Sequence, residues 1–291
     1  MCAQSSAGAS LSIQQFTSSE AGAWSNSYLI SGKSDAILFD VFMLAKDAAQ
    51  IADGIVNSGK TLKTVMISHA HPDHFMGLEV ITERFPDAKV VSTANVVADI
   101  RQDGPWMLSL LQGKLGPQGP KRLVLPEILP EPVLELEGAR LDVVEFGEGE
   151  SKHNATLYLP HLRALLSADL VYHDAHLYLQ ERHLQSWLAR LDELEQFAKP
   201  RISTIYPGHG DAGDLCLIAQ TRAYLRDFLA AIETGEARLA EQQILAKYPQ
   251  HHVRQFLTVF SITAYFPAHG TGSGEMIDMM QSRGGSRTHE H

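Results

Sequence analysis

The stretch Ser68-His-Ala-His-Pro-Asp-His-Phe-Met-Gly77 constrains this chain more than any other. It sets His69, His71, Asp73 and His74 within six residues. The β-branched run Lys63-Thr-Val-Met-Ile-Ser68 precedes it and reads as a buried strand. Leu78, Val80, Ile81 and Phe85 follow at helical spacing, so the cluster lies on a loop between a strand end and a helix start. In extended chain, residues i and i+2 point the same way, which lets His69 and His71 reach one ion together. Pro72 bends the path and turns Asp73 and His74 toward a second position. Three imidazoles and a carboxylate suit zinc, and also iron, manganese or cobalt.

Composition narrows the partners. The 291 residues are 44% hydrophobic and 20% charged, with material for a sizeable core. A formal net charge of -10, with no Lys/Arg cluster, argues against nucleic acid, whose phosphates would be repelled. Only Cys2 and Cys216 are present, too few for a disulfide framework or an all-thiolate zinc site. Cys216, within Leu215-Cys-Leu-Ile218, reads as a buried apolar residue. No apolar run reaches membrane-spanning length, and no signal peptide is visible. A cytoplasmic location is the default. Cys2 ahead of small residues keeps open a lipoprotein or periplasmic protein with its leader removed. A homo-oligomer is also left open.

Strands are expected at 11–16, 27–31, 35–40, 63–68, 88–92, 133–136, 139–146, 155–159, 164–167 and 202–206. Helices are expected at 44–56, after Gly77, at 94–101, 184–197, 215–247 with a break near Thr234-Gly235, and 251–265. Residues 103–132, rich in Gly and Pro, read as a short helix and then a long irregular excursion. Residues 1–10 and 269–291 read as flexible ends around a single domain at 11–268. His289 and His291 in that tail read as solvated.

A two-metal site needs more donors than the opening cluster holds. His153, Asp169 and His209 each stand just beyond an apolar strand, where side chains from different strands converge. With the opening stretch, they give the chain its resemblance to the metallo-β-lactamase superfamily. The matching elements are Ser68-His-Ala-His-Pro-Asp-His74, the later His153, Asp169 in Ser-Ala-Asp-Leu, and His209 in Tyr-Pro-Gly-His-Gly.

The resemblance implies a four-layer αββα sandwich with metals at one edge. By position, it assigns His69, His71 and His153 to a first metal. It assigns Asp73, His74 and His209 to a second, with Asp169 bridging. Asp40 matches an aspartate that supports the ligand histidines from behind. The activity implied is binuclear zinc-dependent hydrolysis of a small ester, lactone, thioester or amide, the water being activated between the metals. Asp73 would also orient or deprotonate that water. Tyr172 stands three residues after Asp169, an offset whose residue often faces the substrate in the family and is a tyrosine in acyl-homoserine lactonases; a phenol there would donate a hydrogen bond to the substrate carbonyl. His173 and His176, with Trp24, Trp106, Met107, Leu177 and Tyr178, are candidates for the pocket wall. The alternative on the same fold is a mononuclear iron oxidoreductase of the persulfide dioxygenase kind.

Overall fold

A computed structural model describes residues 10–116 and 119–269. The expected flexible ends lie almost wholly outside those residues. Two sheets face each other, with helices on their outer sides. The first runs β1 (Ser12–Thr17), β2 (Asn26–Ser31), β3 (Asp35–Phe39), β4 (Thr61–Met66), β5 (Lys89–Ser92) and β6 (Glu127–Ile128) in that order. The hairpins β1–β2 and β2–β3 are antiparallel, and β3 to β6 are parallel. Parallel neighbours need crossovers, which α1 (Ala45–Ser58), α2 (Pro72–Phe75), α3 (Leu78–Arg84) and α4 (Ala94–Leu115) supply.

The second sheet has the order β11 (Thr204–His209), β10 (Ala164–Tyr172), β9 (Asn154–Leu159), β8 (Ala139–Phe146) and β7 (Val133–Leu136). Only β10 and β11 pair in parallel, joined through α5 (Leu184–Ala198). The chain then closes with α6 (Cys216–Ile232), α7 (Ala237–Lys247), a π-helical turn at Phe256–Ser261 and α8 (Ile262–Tyr265). This is the αββα sandwich.

Periodicity explains the layers. Every residue of β10 is buried because the strand has apolar neighbours on both faces. Leu166 and Ala168 face the other sheet, while Leu165 faces α5 and α6. On the helix side, Trp187, Leu191 and Leu194 recur at helical spacing along α5 and are buried. Trp187 Nε1 donates to the Leu170 carbonyl at 3.0 Å, so the indole anchors α5 to β10 without leaving its N–H unpaired.

Three local expectations are corrected. The helix from Ala94 continues through Pro105 to Leu115 instead of ending near Arg101. A proline inside a helix forfeits one backbone bond, and here Met107, Leu108 and Leu111 carry the helix onward by packing on the inter-sheet core. β10 and β11 run further than their apolar runs suggested, so Asp169 and His209 lie within strands, not after them. Cys216 is exposed on the first turn of α6, where Leu217 and Ile218 take the buried face. Among the described residues, no helix is long and apolar enough to cross a membrane.

His176 links the segment after β10 to α6, its Nδ1 meeting the Tyr224 hydroxyl at 2.8 Å. Burial, then the nearby His251 and Arg254, push its pKa down from 6.5 to about 4. The unfolded chain therefore takes up a proton that the native chain refuses. The associated stability is fully present above pH 6.5 and is lost as pH falls toward 4. The substitution His176→Asn should flatten this part of the acid limb. Thermal midpoints of both proteins across that range check it, and identical slopes would refute it.

Candidate metal centre

The opening motif occupies the loop after β4. His71 is the N-cap of α2 and Pro72 its first residue, a position where the missing N–H costs nothing. Asp40, directly after β3, has φ 60°, in the left-handed region that aspartate tolerates better than most residues. Its backbone N–H donates to the Met66 carbonyl at 2.9 Å. The carboxylate is thereby buried behind the motif. It accepts from Ser68 N at 2.8 Å and Ser68 Oγ at 2.7 Å, and from His74 Nδ1 at 3.0 Å. Ser68 Oγ in turn meets His69 Nδ1 at 2.8 Å. One carboxylate thus sets two imidazoles.

The other histidines are anchored separately. His209 Nδ1 donates to the Ala23 carbonyl at 3.0 Å, and His71 Nε2 meets Glu181 Oε1 at 2.7 Å. The end of β11 is itself fastened to β2. Tyr28 OH donates to the Pro207 carbonyl at 2.6 Å, and Asn26 Nδ2 to the Gly210 carbonyl at 2.6 Å. Each of the four imidazoles therefore has one nitrogen tied to the protein and the other aimed inward.

Those inward atoms converge. His74 Nε2 is 3.2 Å from Asp169 Oδ1, and His209 Nε2 is 3.2 Å from Asp169 Oδ2. Asp73 Oδ2 lies 3.5 Å from both nitrogens. On the other side, Glu150 Oε1 is 2.9 Å from His71 Nδ1, and Glu150 Oε2 is 3.6 Å from His69 Nε2. Three overlapping groups could each hold an ion: His69–His71–Glu150, His69–His74–Asp169, and Asp73–His74–His209. His69 Nε2, Asp73 Oδ2, His74 Nε2, both Glu150 oxygens, Asp169 Oδ1 and His209 Nε2 are buried without a well-formed hydrogen bond. Buried polar atoms are seldom left so, and their crowding at one point fits bound cations.

The electrostatics agree. Burial alone would lower His71, but Glu150 and then Glu181 hold it well above its ordinary value. Burial opposes a charge on His74 in the same way, and Asp169 and Asp73 outweigh it. Burial would raise Asp169, yet His74 and His209 hold it well below the carboxylate range. His69, buried and beside His74 and His71, is driven well below its usual value and so stays a neutral donor. The site draws positive charge into a place that excludes water.

Of the expected donors, His69, His71, Asp73, His74, Asp169 and His209 are brought together and His153 is not. Its Nδ1 meets Asp99 Oδ2 on α4 at 2.6 Å, and Lys152 Nζ reaches Asp99 Oδ1 at 3.2 Å. The loop before β9 explains the exchange. Gly149 N donates to the Ser151 carbonyl at 2.9 Å, and Asn154 Nδ2 donates back to that carbonyl at 2.9 Å. This tight turn buries Glu150 and leaves His153 partly exposed. Sequence reasoning missed Glu150, together with Glu181 and Asp99. The signal was Glu148-Gly-Glu-Ser-Lys-His153, where a glutamate stands three residues before the histidine.

Tyr172 also departs from expectation. It is buried, stacks on His209 and donates to Asp169 Oδ2 at 2.5 Å, so its hydroxyl is already engaged. Tyr178 does border the site, its ring 5.0 Å from that of His71, and Phe256 lies 5.2 Å from His209. Trp24 is 40% exposed and faces His252. Leu177 and Met107 belong to the apolar cores, and Trp106 is half-buried on α4. His173 turns to the Asp211 carbonyl and His176 to Tyr224. Gly208 has a strict role, since a Cβ there would fall 1.7 Å from Asp169 Oδ1.

Comparison with known proteins gives the family and the fold. The family model of the metallo-β-lactamase superfamily matches residues 25–209, and the chain belongs to that superfamily. Among solved structures, a metallo-β-lactamase from Pontibacter korlensis superposes with a TM-score of 0.60 at 20% identity, covering 74% of this chain and 94% of its own. DIM-1 metallo-β-lactamase, exposed to ceftazidime, gives 0.56 at 16%, covering 74% and 92%. VMB-1 gives 0.56 at 16%, covering 76% and 94%. At these identities the likeness shows the fold. No curated protein matches by sequence.

Removing the Asp40 carboxylate strands Ser68 and His74 together. The variant Asp40→Ala should therefore lose roughly ten- to a hundredfold in divalent-metal affinity. Chelator competition measures this, and unchanged affinity would show that the histidines orient themselves.

Proposed function

We propose that this protein is a metal-dependent hydrolase of a small ester, lactone, thioester or amide, working with two divalent cations. The observation that carries the reading is the set of buried donor atoms, from both sheets, that find no hydrogen-bond partner and converge at one edge. Asp73, His74 and His209 would surround one cation, His69 and His71 the other, with Asp169 between them. Zinc is the first candidate, and iron, manganese and cobalt suit the same donors. Cations held there supply Lewis acidity and an activated water at neutral pH.

The chain's own groups do the rest. Asp73 is the carboxylate best placed to take or steer the proton of the attacking water, because its side chain is more exposed than those of Asp169 and Glu150. Tyr172 acts through Asp169, fixing the carboxylate that lies between the two positions. Tyr178 and Phe256 narrow the space around the donors and keep bulk water away. No serine or cysteine nucleophile is called for. The proposed partner is a small molecule.

A second reading, an iron-dependent oxidoreductase of the persulfide dioxygenase kind, draws on one observation. His69, His71 and Glu150 form a two-histidine, one-carboxylate set. Oxygen uptake by iron-loaded protein, without hydrolysis, would select it.

The test is metal quantification, followed by lactones, thioesters, aryl esters and β-lactams assayed on the same sample. Bound metal with turnover of at least one class is expected, and metal-free protein without hydrolysis would overturn the reading. Within an accepted class, Tyr172→Phe should lower kcat by about ten- to a hundredfold through a displaced Asp169. Unchanged kcat would remove Tyr172 from the machinery.

A further inference from the structure

The turn at 147–154 carries an inference of its own, resting on the paired-cation reading above. We propose that Glu150, and not His153, completes the donor set of His69 and His71, and that this carboxylate tilts the position toward harder cations such as manganese(II) or iron(II).

Geometry supports the first half. Both Glu150 oxygens are buried and lack a well-formed hydrogen bond, and they face His71 Nδ1 at 2.9 Å and His69 Nε2 at 3.6 Å. The three residues offer donor atoms within 4.8 Å of one another. A carboxylate buried this deeply is costly to ionise, and a coordinated cation offsets that cost. His153 has a competing partner in Asp99 on α4, so moving it inward would break a bond of 2.6 Å and leave the buried Asp99 with Lys152 alone. Gly149 supports the same arrangement. A Cβ there would meet Leu170 Cδ1 at 2.9 Å, so the loop lies close against β10 at the residue before Glu150.

The second half follows from donor chemistry. Exchanging an imidazole for a carboxylate replaces a neutral, borderline donor with an anionic, harder one. The cluster then holds Asp73, Glu150 and Asp169 where a third histidine would have left two carboxylates. Two divalent cations would sit in a centre one unit less positive. Oxygen-rich sets of this kind favour manganese and iron relative to zinc, compared with the all-imidazole set at the same geometry.

The experiment compares metal uptake by the wild type and by E150Q, E150H and H153A, each as full-length apo protein. Manganese(II) and zinc are the probes, bound equivalents are counted by elemental analysis, and circular dichroism monitors the fold. E150Q should bind one equivalent fewer than wild type, and H153A should match wild type. E150H should regain the lost equivalent, which shows that the E150Q loss is not misfolding. Its zinc-over-manganese preference should exceed that of wild type by roughly tenfold or more. An H153A protein that loses an equivalent, or an E150Q protein that loses none, overturns the donor assignment. An unchanged preference in E150H overturns the selectivity. Uptake that follows the expected pattern with no hydrolysis of any ester, lactone, thioester or amide would sink the hydrolase reading alone.

Discussion

The structure depends on a cluster of buried donors whose hydrogen-bonding capacity is only partly met within the cluster. Asp73, Asp169 and Glu150 bring carboxyl groups into a water-poor edge, and the nitrogens of His69, His74 and His209 point at them without forming proper hydrogen bonds. Like charges repel strongly in such surroundings, and each desolvated carboxylate costs several kcal/mol unless a cation meets it. The apolar core must hold the arrangement in place. It does so with two sheets whose facing sides are almost wholly apolar, and with a second cluster in which α5 and α6 cover the outer side of β10.

Orientation comes from a ring of partners behind the donors. Asp40, Ser68, Glu181 and the Ala23 carbonyl each bind the far nitrogen of an imidazole, directly or through one hydroxyl. An imidazole so tied has lost its ring rotation before any ligand arrives. These partners come from four separate segments, so the precision of the centre reflects the packing of the whole sandwich. It is not a property of the His69–His74 loop alone. Gly208 shows how close that packing is, because one methyl group there would displace the carboxylate between the two positions.

Much of this was legible in the residues. His69, His71, Asp73 and His74 are adjacent in sequence, and a strand signal before them with a helix signal after fixes the kind of loop they occupy. Asp169 and His209 follow apolar runs and could be placed at strand ends, although both strands extend further; in β10 a run buried on both faces gives no alternation to mark its end. His153 is turned away from the cluster for a physical reason. Residue type favours histidine over glutamate as a metal donor, but a tight turn decides which side chain faces inward, and its hydrogen bonds are invisible in composition. Pro105 misled similarly, since its local preference was outweighed by the apolar face of Met107, Leu108 and Leu111. Glu181 and Asp99 carried no local signal, their importance arising only from contacts across the fold.

The fastening of β11 to β2 through Tyr28 and Asn26 has a kinetic side. The converging groups are drawn from segments between Asp40 and His209, and the last of them arrives only when β11 has paired with β10 and met the other sheet. Contacts so distant along the chain form late in folding, after their loop-closure entropy has been met. A cation therefore finds its full set of donors only in a chain that has nearly finished folding. A cation seated as proposed would oppose the reverse step, because freeing His209 would mean both breaking the strand junction and giving up a donor. Metal retention and the lifetime of the native sandwich would in this way be linked.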